Sequence, residues 1–166
     1  MSDRASYKGK GLGTVDEKGR VAIPNALRAA LAKNAPRADG KDGGTVILAP
    51  HPKFRCLIAY DPAYAAAMDA DVERMEAEAL AKTGERDYAI AARANATEEV
   101  PFDGSGRFIM PAFERRYARI EGAAFFHGDS RTINIWSPKV LLAMEGFDPF
   151  LKEACEWACE EKGIAL

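Results

Sequence analysis

Two arginines stand at the same place in two copies of one short pattern. Arg20 closes Asp16-Glu17-Lys18-Gly19-Arg20, and Arg107 closes Asp103-Gly104-Ser105-Gly106-Arg107. A guanidinium is a planar fork of donors that grips phosphate oxygens, or O6 and N7 of guanine, in a bidentate manner. The turn itself needs only Asp16 and Gly19, or Asp103 and Gly106: the carboxylate caps the reversal, and glycine supplies its positive φ. An arginine repeated at the same place therefore has a reason beyond folding. The expected anion-contacting set is Arg20 and Arg107, with Lys18 beside the first, and with Arg4, Lys8 and Lys10 adding phosphate attraction. The second turn has Gly104-Ser105 where the first has Glu17-Lys18, so it lacks the lysine and is expected to play a supporting or structural part. Arg28 and Arg115 also recur, eight residues after each turn arginine. For them the expectation is a stem packed on the module and a head paired with a carboxylate.

Other chemistry finds little support. The three cysteines, Cys56, Cys155 and Cys159, are an odd number, and two of them lie four apart on one helical face; reduced thiols are expected. His51 sits between two prolines and His127 before Gly128 at an expected hairpin tip, with neither finger-like spacing nor a neighbouring nucleophile. No metal, no cofactor and no catalytic residue is expected. Gly9-x-Gly11-x-Gly13 resembles half of a dinucleotide fingerprint, but a strand and turn follow it where a helix is required, and no phosphate loop occurs. Neither an enzyme nor a small-molecule substrate is indicated.

The elements that must position the arginines follow from the repeat. Thr14 to Arg28 aligns without gaps on Pro101 to Arg115 at an offset of 87, with five identities in fifteen. Each copy begins as a short apolar strand entering the turn, and leaves it through Val21 to Ile23 or Phe108 to Met110. Pro24 and Pro111 follow, where a fixed φ and a missing N–H suit a first helical turn. The helices so begun are predicted to reach about Lys33 and Arg119. Hairpin-like pairs come next: Val46 to Leu48 with Cys56 to Tyr60, and Ala123 to Phe126 with Thr132 to Trp136. Tyr60-Asp61-Pro62 and Trp136-Ser137-Pro138 extend the repeat. Around Asn34 to Gly44 the first copy carries about eleven extra residues, read as a surface loop. Helices are predicted for Pro62 to about Lys82, Glu85 to about Asn95, Lys139 to Met144 and Pro149 to Lys162. The domain reading is 7–62 and 98–138 for the two modules, 63–97 for a helical connector and 139–166 for a C-terminal helical segment.

Charge is unevenly placed along a chain of net charge -2. Residues 1–41 hold nine Lys or Arg against four Asp or Glu, a balance of +5, whereas residues 61–103 hold four against eleven, a balance of -7. Residues 104–138 return to +2 (five against three) and residues 139–166 fall to -3 (three against six). The modules are thus the more basic parts, as binding to a polyanion requires. No apolar run reaches signal-peptide or membrane-span length, so a cytoplasmic protein without a membrane partner is expected.

With both turns in view, the chain resembles the MraZ family. The resemblance rests on the paired Asp-x-x-Gly-Arg turns leading to Pro24 and Pro111, with Cys56-Leu57-Ile58-Ala59-Tyr60 and Ile133-Asn134-Ile135-Trp136 in support. It covers about residues 7 to 145. It implies an α+β fold of two AbrB-like βαββ modules interlocked as a swapped-hairpin barrel with flanking helices. It further implies a ring-shaped homo-oligomer, association with the nucleoid, and repression of the division and cell-wall gene cluster through repeated promoter boxes in double-stranded DNA. By position, Arg20 is then the foremost DNA contact, with Lys18 beside it and Arg107 as counterpart. Two other readings remain open: an antitoxin-like regulator of the same fold, and an oligomeric adaptor that has lost DNA affinity and docks partners through its acidic helices.

Overall fold

The architecture was read from a computed structural model that describes residues 4–37 and 40–166. The first copy of the repeat supplies β1 (Lys10–Thr14), β2 (Arg20–Ala22), α1 (Asn25–Asn34), β3 (Gly44–Pro50) and β4 (Leu57–Tyr60). The second supplies β5 (Glu98–Phe102), β6 (Arg107–Ile109), α4 (Ala112–Ala118), β7 (Ala123–Gly128) and β8 (Ile133–Trp136). Between them lie a 3-10 turn (Pro62–Tyr64), α2 (Ala65–Thr83) and α3 (Tyr88–Ala94), and after them α5 (Pro138–Ala143) and α6 (Pro149–Glu161). Each copy is thus ββαββ, with a strand on either side of the Asp turn as the apolar stretches indicate, one strand more than the βαββ that the resemblance implies. The expected Asn34–Gly44 loop lies partly outside the described residues.

Local chemistry accounts for most boundaries. Pro24 and Pro111 take φ of -54° and -58° at the N-caps of α1 and α4. Gly84, at φ 77°, ends α2 with its N–H bonded to the Leu80 carbonyl, a left-handed cap that glycine adopts at low cost. The second connector helix, α3, starts at Tyr88 and not at Glu85, because the Asp87 carboxylate accepts the Ala89 N–H and caps it there. His127 is not at a hairpin tip but inside β7, paired with Asn134. Asp129 moves the tip onward by accepting the N–H groups of Arg131 and Thr132 and the Asn134 side-chain amide.

The two copies exchange strands. Six strands form one antiparallel sheet in the order β1-β7-β8-β4-β3-β5, so β1 of the first copy borders the second copy's hairpin, and β5 of the second borders the first's. The two remaining strands, β2 and β6, pair with each other as a separate ribbon. The large sheet has two ends, β1 and β5, and does not close on itself, so the closed barrel implied by the resemblance is not observed. The apolar core runs through both copies, joining Val21, Leu27, Leu31 and Leu48 with Phe108, Met110, Phe126 and Ile135 in one cluster. Gly11 and Gly13 let β1 lie close to the ribbon: a Cβ at Gly11 would stand 2.9 Å from Pro24, and one at Gly13 2.8 Å from Val21. Those glycines serve packing, and no nucleotide fingerprint is formed.

The acidic helices clasp this body at its margins. The buried Cys155 and Cys159 of α6 pack with Trp136, Phe125 and Leu141, and with Phe54 and Phe147 at the edge. Tyr64 and Met68 cover Ile47, Ile58 and Tyr60 further along the same sheet face, opposite the main core. Arg4 is not a phosphate contact: it is bound to the fully buried Asp61 at 2.6 Å, which also accepts the Tyr7 hydroxyl at 2.7 Å. Breaking such a buried pair leaves an uncompensated charge, at a cost of about 3–5 kcal/mol. Among the described residues no helix is long and apolar enough to cross a membrane.

Candidate nucleic-acid interface

Each repeated turn is locked by its own carboxylate. Asp16 Oδ1 accepts the N–H groups of Lys18 at 3.0 Å and Arg20 at 2.9 Å, while the Gly19 N–H reaches the Asp16 carbonyl at 2.9 Å with φ at 89°. The second turn repeats this: Asp103 Oδ1 accepts Ser105 N–H and Arg107 N–H, both at 2.9 Å, and Gly106 takes φ 75°. The other carboxylate oxygen then holds the arginine. Arg20 Nε donates to Asp16 Oδ2 at 2.6 Å, and Arg107 Nε to Asp103 Oδ2 at 2.8 Å. These donors hold both carboxyls below the ordinary value of 3.8, with the backbone N–H of the turn arginine the largest cause in each. Only Nε is used by the ion pair. Among the described residues the terminal amino groups of Arg20 and Arg107 make no hydrogen bond, and the two side chains are 61% and 69% exposed.

The ribbon sets these arginines side by side. Arg20 lies opposite Ile109, Val21 opposite Phe108, and Ala22 opposite Arg107. Strand alternation puts Val21 and Phe108 on the buried face, and Arg20, Ala22, Arg107 and Ile109 on the exposed one. Arg20 and Arg107 are diagonal neighbours on that face, with Cα atoms about 7–8 Å apart by ribbon geometry.

Each turn is also braced by the opposite copy. Ile23 N–H donates to the Gly106 carbonyl, and Met110 N–H to the Gly19 carbonyl, both at 2.9 Å. Arg28 Nη1 donates to the Ser105 carbonyl at 2.9 Å. Arg115 Nε donates to the Met110 carbonyl at 2.9 Å, beneath the first turn, where a Cβ on Gly19 would stand 2.8 Å from that nitrogen. The recurrent helical arginines thus bind backbone carbonyls and not the expected carboxylates. Arg28 bonds across to the second turn and Arg115 within its own copy, but each side chain packs beneath the turn glycine of the opposite copy, which accounts for an arginine at this place in both modules.

The remaining expected residues divide. Lys18 is exposed on the first turn. Lys8 and Lys10 are exposed, but Lys10 begins β1 about 20 Å from Asp16 at strand rise, and Lys8 precedes the strand. Lys10 stands over the Phe150 ring at 5.5 Å. The two turns share one geometry, so the difference between them rests on Lys18 and Glu17 against Ser105 and Gly104. Ala22 and Ile109, absent from the expected set, complete the exposed face; only strand pairing reveals them.

Groups suited to other chemistry are spent on structure. His51 Nδ1 accepts Lys53 N–H and Phe54 N–H, and burial pushes its pKa down to about 4. His127 Nε2 accepts the Trp136 indole N–H at 2.9 Å, and burial lowers its pKa too. All three cysteines are buried, free thiols whose pKa burial raises, Cys155 to about 12. Neutral thiols of this kind are poor nucleophiles. Among the described residues no group of three or more metal-binding side chains converges.

No family model matches the chain. Curated relatives do. It is 32% identical over 124 residues to a protein of Gluconacetobacter diazotrophicus, covering 75% of this chain and 73% of the relative. A Herpetosiphon aurantiacus protein is 33% identical over 124 residues (75% and 76% covered), and a Rhodospirillum rubrum protein 30% identical over 136 residues (81% of each). All three carry the name transcriptional regulator MraZ, so the class is that of bacterial transcription regulators and not of enzymes. The chain belongs to the MraZ family.

Proposed function

We propose that this transcription regulator binds double-stranded DNA with the exposed face of the β2–β6 ribbon, presenting Arg20 and Arg107 to the major groove and Lys18 to the adjoining backbone. The observation that carries the reading is the placement of two exposed, carboxylate-oriented arginines on one face of a two-stranded ribbon, since the major groove admits such a ribbon and arginine is its commonest specific reader. Lys8 and Lys10 add long-range attraction from the side. Modules 7–62 and 98–138 form one binding unit through their exchanged strands, the single-chain form of a swapped-hairpin arrangement. Connector 63–97 and segment 139–166 flank it. The family membership supports repression of a division and cell-wall gene cluster through promoter repeats, by a ring-shaped homo-oligomer associated with the nucleoid.

The test is titration of the protein's own upstream duplex at several salt concentrations. Arg20→Ala and Arg107→Ala are each expected to weaken binding by about 10- to 100-fold and to relax base preference, whereas Lys18→Ala lowers affinity evenly across sequences and reduces the salt slope by about 1. Undiminished, sequence-selective binding by the Arg20 variant would overturn the assignment and favour another surface.

A further inference from the structure

One exposed residue of the ribbon has the wrong chemistry for phosphate. Ile109 is 57% exposed, although it sits on the arginine-bearing face and directly opposite Arg20. Single exposed apolar side chains are ordinary on protein surfaces. This one differs in its surroundings, because its face carries Arg20 and Ala22 of the partner strand and Arg107 of its own, with both arginines exposed. A surface serving only phosphate would gain nothing from a branched aliphatic group there. On the major-groove edges of the base pairs the one apolar group is the C5-methyl of thymine, which apolar side chains contact.

We propose, resting on the DNA-binding reading above, that Ile109 packs on a thymine methyl in the major groove and makes the chain select thymine beside the base read by Arg20. Cβ atoms directly opposite on a ribbon are about 5 Å apart. Stacked base pairs rise by about 3.4 Å, so the selected thymine lies one or two base pairs from the Arg20 contact. The position equivalent to Ile109 in the first copy is Ala22, opposite Arg107, whose single methyl group reaches less far. The two halves of the ribbon therefore read unequal half-sites: thymine is demanded on the Arg20 side and weakly or not at all on the Arg107 side. The inequality between the copies lies in this aliphatic position as well as in Lys18.

The probe is the duplex from the protein's own upstream region that it protects in a footprint, synthesised with thymidine or with deoxyuridine, which removes only the methyl groups. The unaltered protein is expected to bind the uracil duplex about 4-fold or more weakly, the loss that follows from one unburied methyl group. Ile109→Ala is expected to bind the thymine duplex more weakly by a similar factor and to lose the thymine-to-uracil ratio. Ile109→Val, which keeps the branched strand former, retains it. Thermal midpoints of the variants establish that each is folded. An unchanged thymine-to-uracil ratio in Ile109→Ala, or indifference of the unaltered protein to uracil, overturns the inference. So does a changed assembly mass in Ile109→Ala at a constant ratio, which would assign the side chain to a contact between copies. Arg20→Ala in the same titration separates the readings: its failure to weaken binding sinks the ribbon as the DNA face, whereas loss with Arg20→Ala but no methyl dependence sinks only Ile109.

Discussion

Asp16 carries out two tasks with one carboxylate, closing the turn through Oδ1 and aiming Arg20 through Oδ2. An arginine held by Nε alone keeps its terminal amino groups for a ligand while surrendering rotamer freedom in advance, so less entropy is lost on binding. The donors lower the Asp16 and Asp103 pKa below 3.8. The support each carboxylate gives is therefore present above the ordinary aspartate value and lost as pH falls through the lowered one. Carboxyl-carbon NMR is expected to show both groups titrating below 3.8. In Arg20→Ala, Asp16 should move part of the way up, the backbone donor remaining, while Asp103 stays where it was. An Asp16 that titrates normally in the unaltered protein would mean that it does not orient the arginine. Arg20 and Arg107 were legible in the sequence because their identity repeats at a fixed offset. Ile109 was not, because it aligns with Ala22 as an unremarkable mismatch, and which strand face it occupies is decided by a partner strand 87 positions away.

At the level of elements, the turn glycines are unequal in what stands behind them. A Cβ on Gly19, at φ 89°, would lie 2.5 Å from the Met110 carbonyl oxygen, a backbone atom fixed by the hydrogen bond that Met110 N–H makes to Gly19. A Cβ on Gly106, at φ 75°, would lie 2.6 Å from Arg28 Cδ, part of a flexible side chain. Both substitutions meet the left-handed penalty of about 1 kcal/mol. Gly19→Ala must also part the ribbon from the turn. Urea unfolding is expected to show Gly19→Ala costing about 2–3 kcal/mol and Gly106→Ala about 1–2 kcal/mol, with the latter also loosening Arg28. Equal costs would show that the Met110 contact relaxes freely. Helix starts at Pro24 and Pro111 and the stop at Gly84 were legible because they depend on one or two residues each. The strand partners were not: the apolar pattern implies a short strand entering the first turn, but gives neither its extent over Lys10–Thr14 nor its pairing with Ala123–Gly128.

Across the whole molecule, exchange of strands makes each copy a cofactor for the other's fold. Neither hairpin has its outer neighbour without the other copy's leading arm, since β1 completes β7 and β5 completes β3. The ribbon exists only when both copies are present. The shared cluster joins Leu27 and Val46 of one copy to Phe108 and Ile135 of the other, so cutting the chain between them exposes core from both sides. A fragment of residues 1–97 retains β1 to β4 and the connector helices, and lacks β5 to β8. The fragment loses four strand pairings, β1–β7, β2–β6, β3–β5 and β4–β8, and keeps only β3–β4, too little for a folded monomer, but a second identical fragment could offer its own β3 edge to β1 and its own β2 to β2. The fragment is expected to be unfolded when dilute and to gain structure only as a dimer. Its urea midpoint would rise with protein concentration, as it must when folding and association are one event. Light scattering with amide-proton spectra over a concentration series would check this. A well-dispersed spectrum from a monomeric fragment would show that the first copy closes its own core, and that the exchanged strands join two finished units instead of building one.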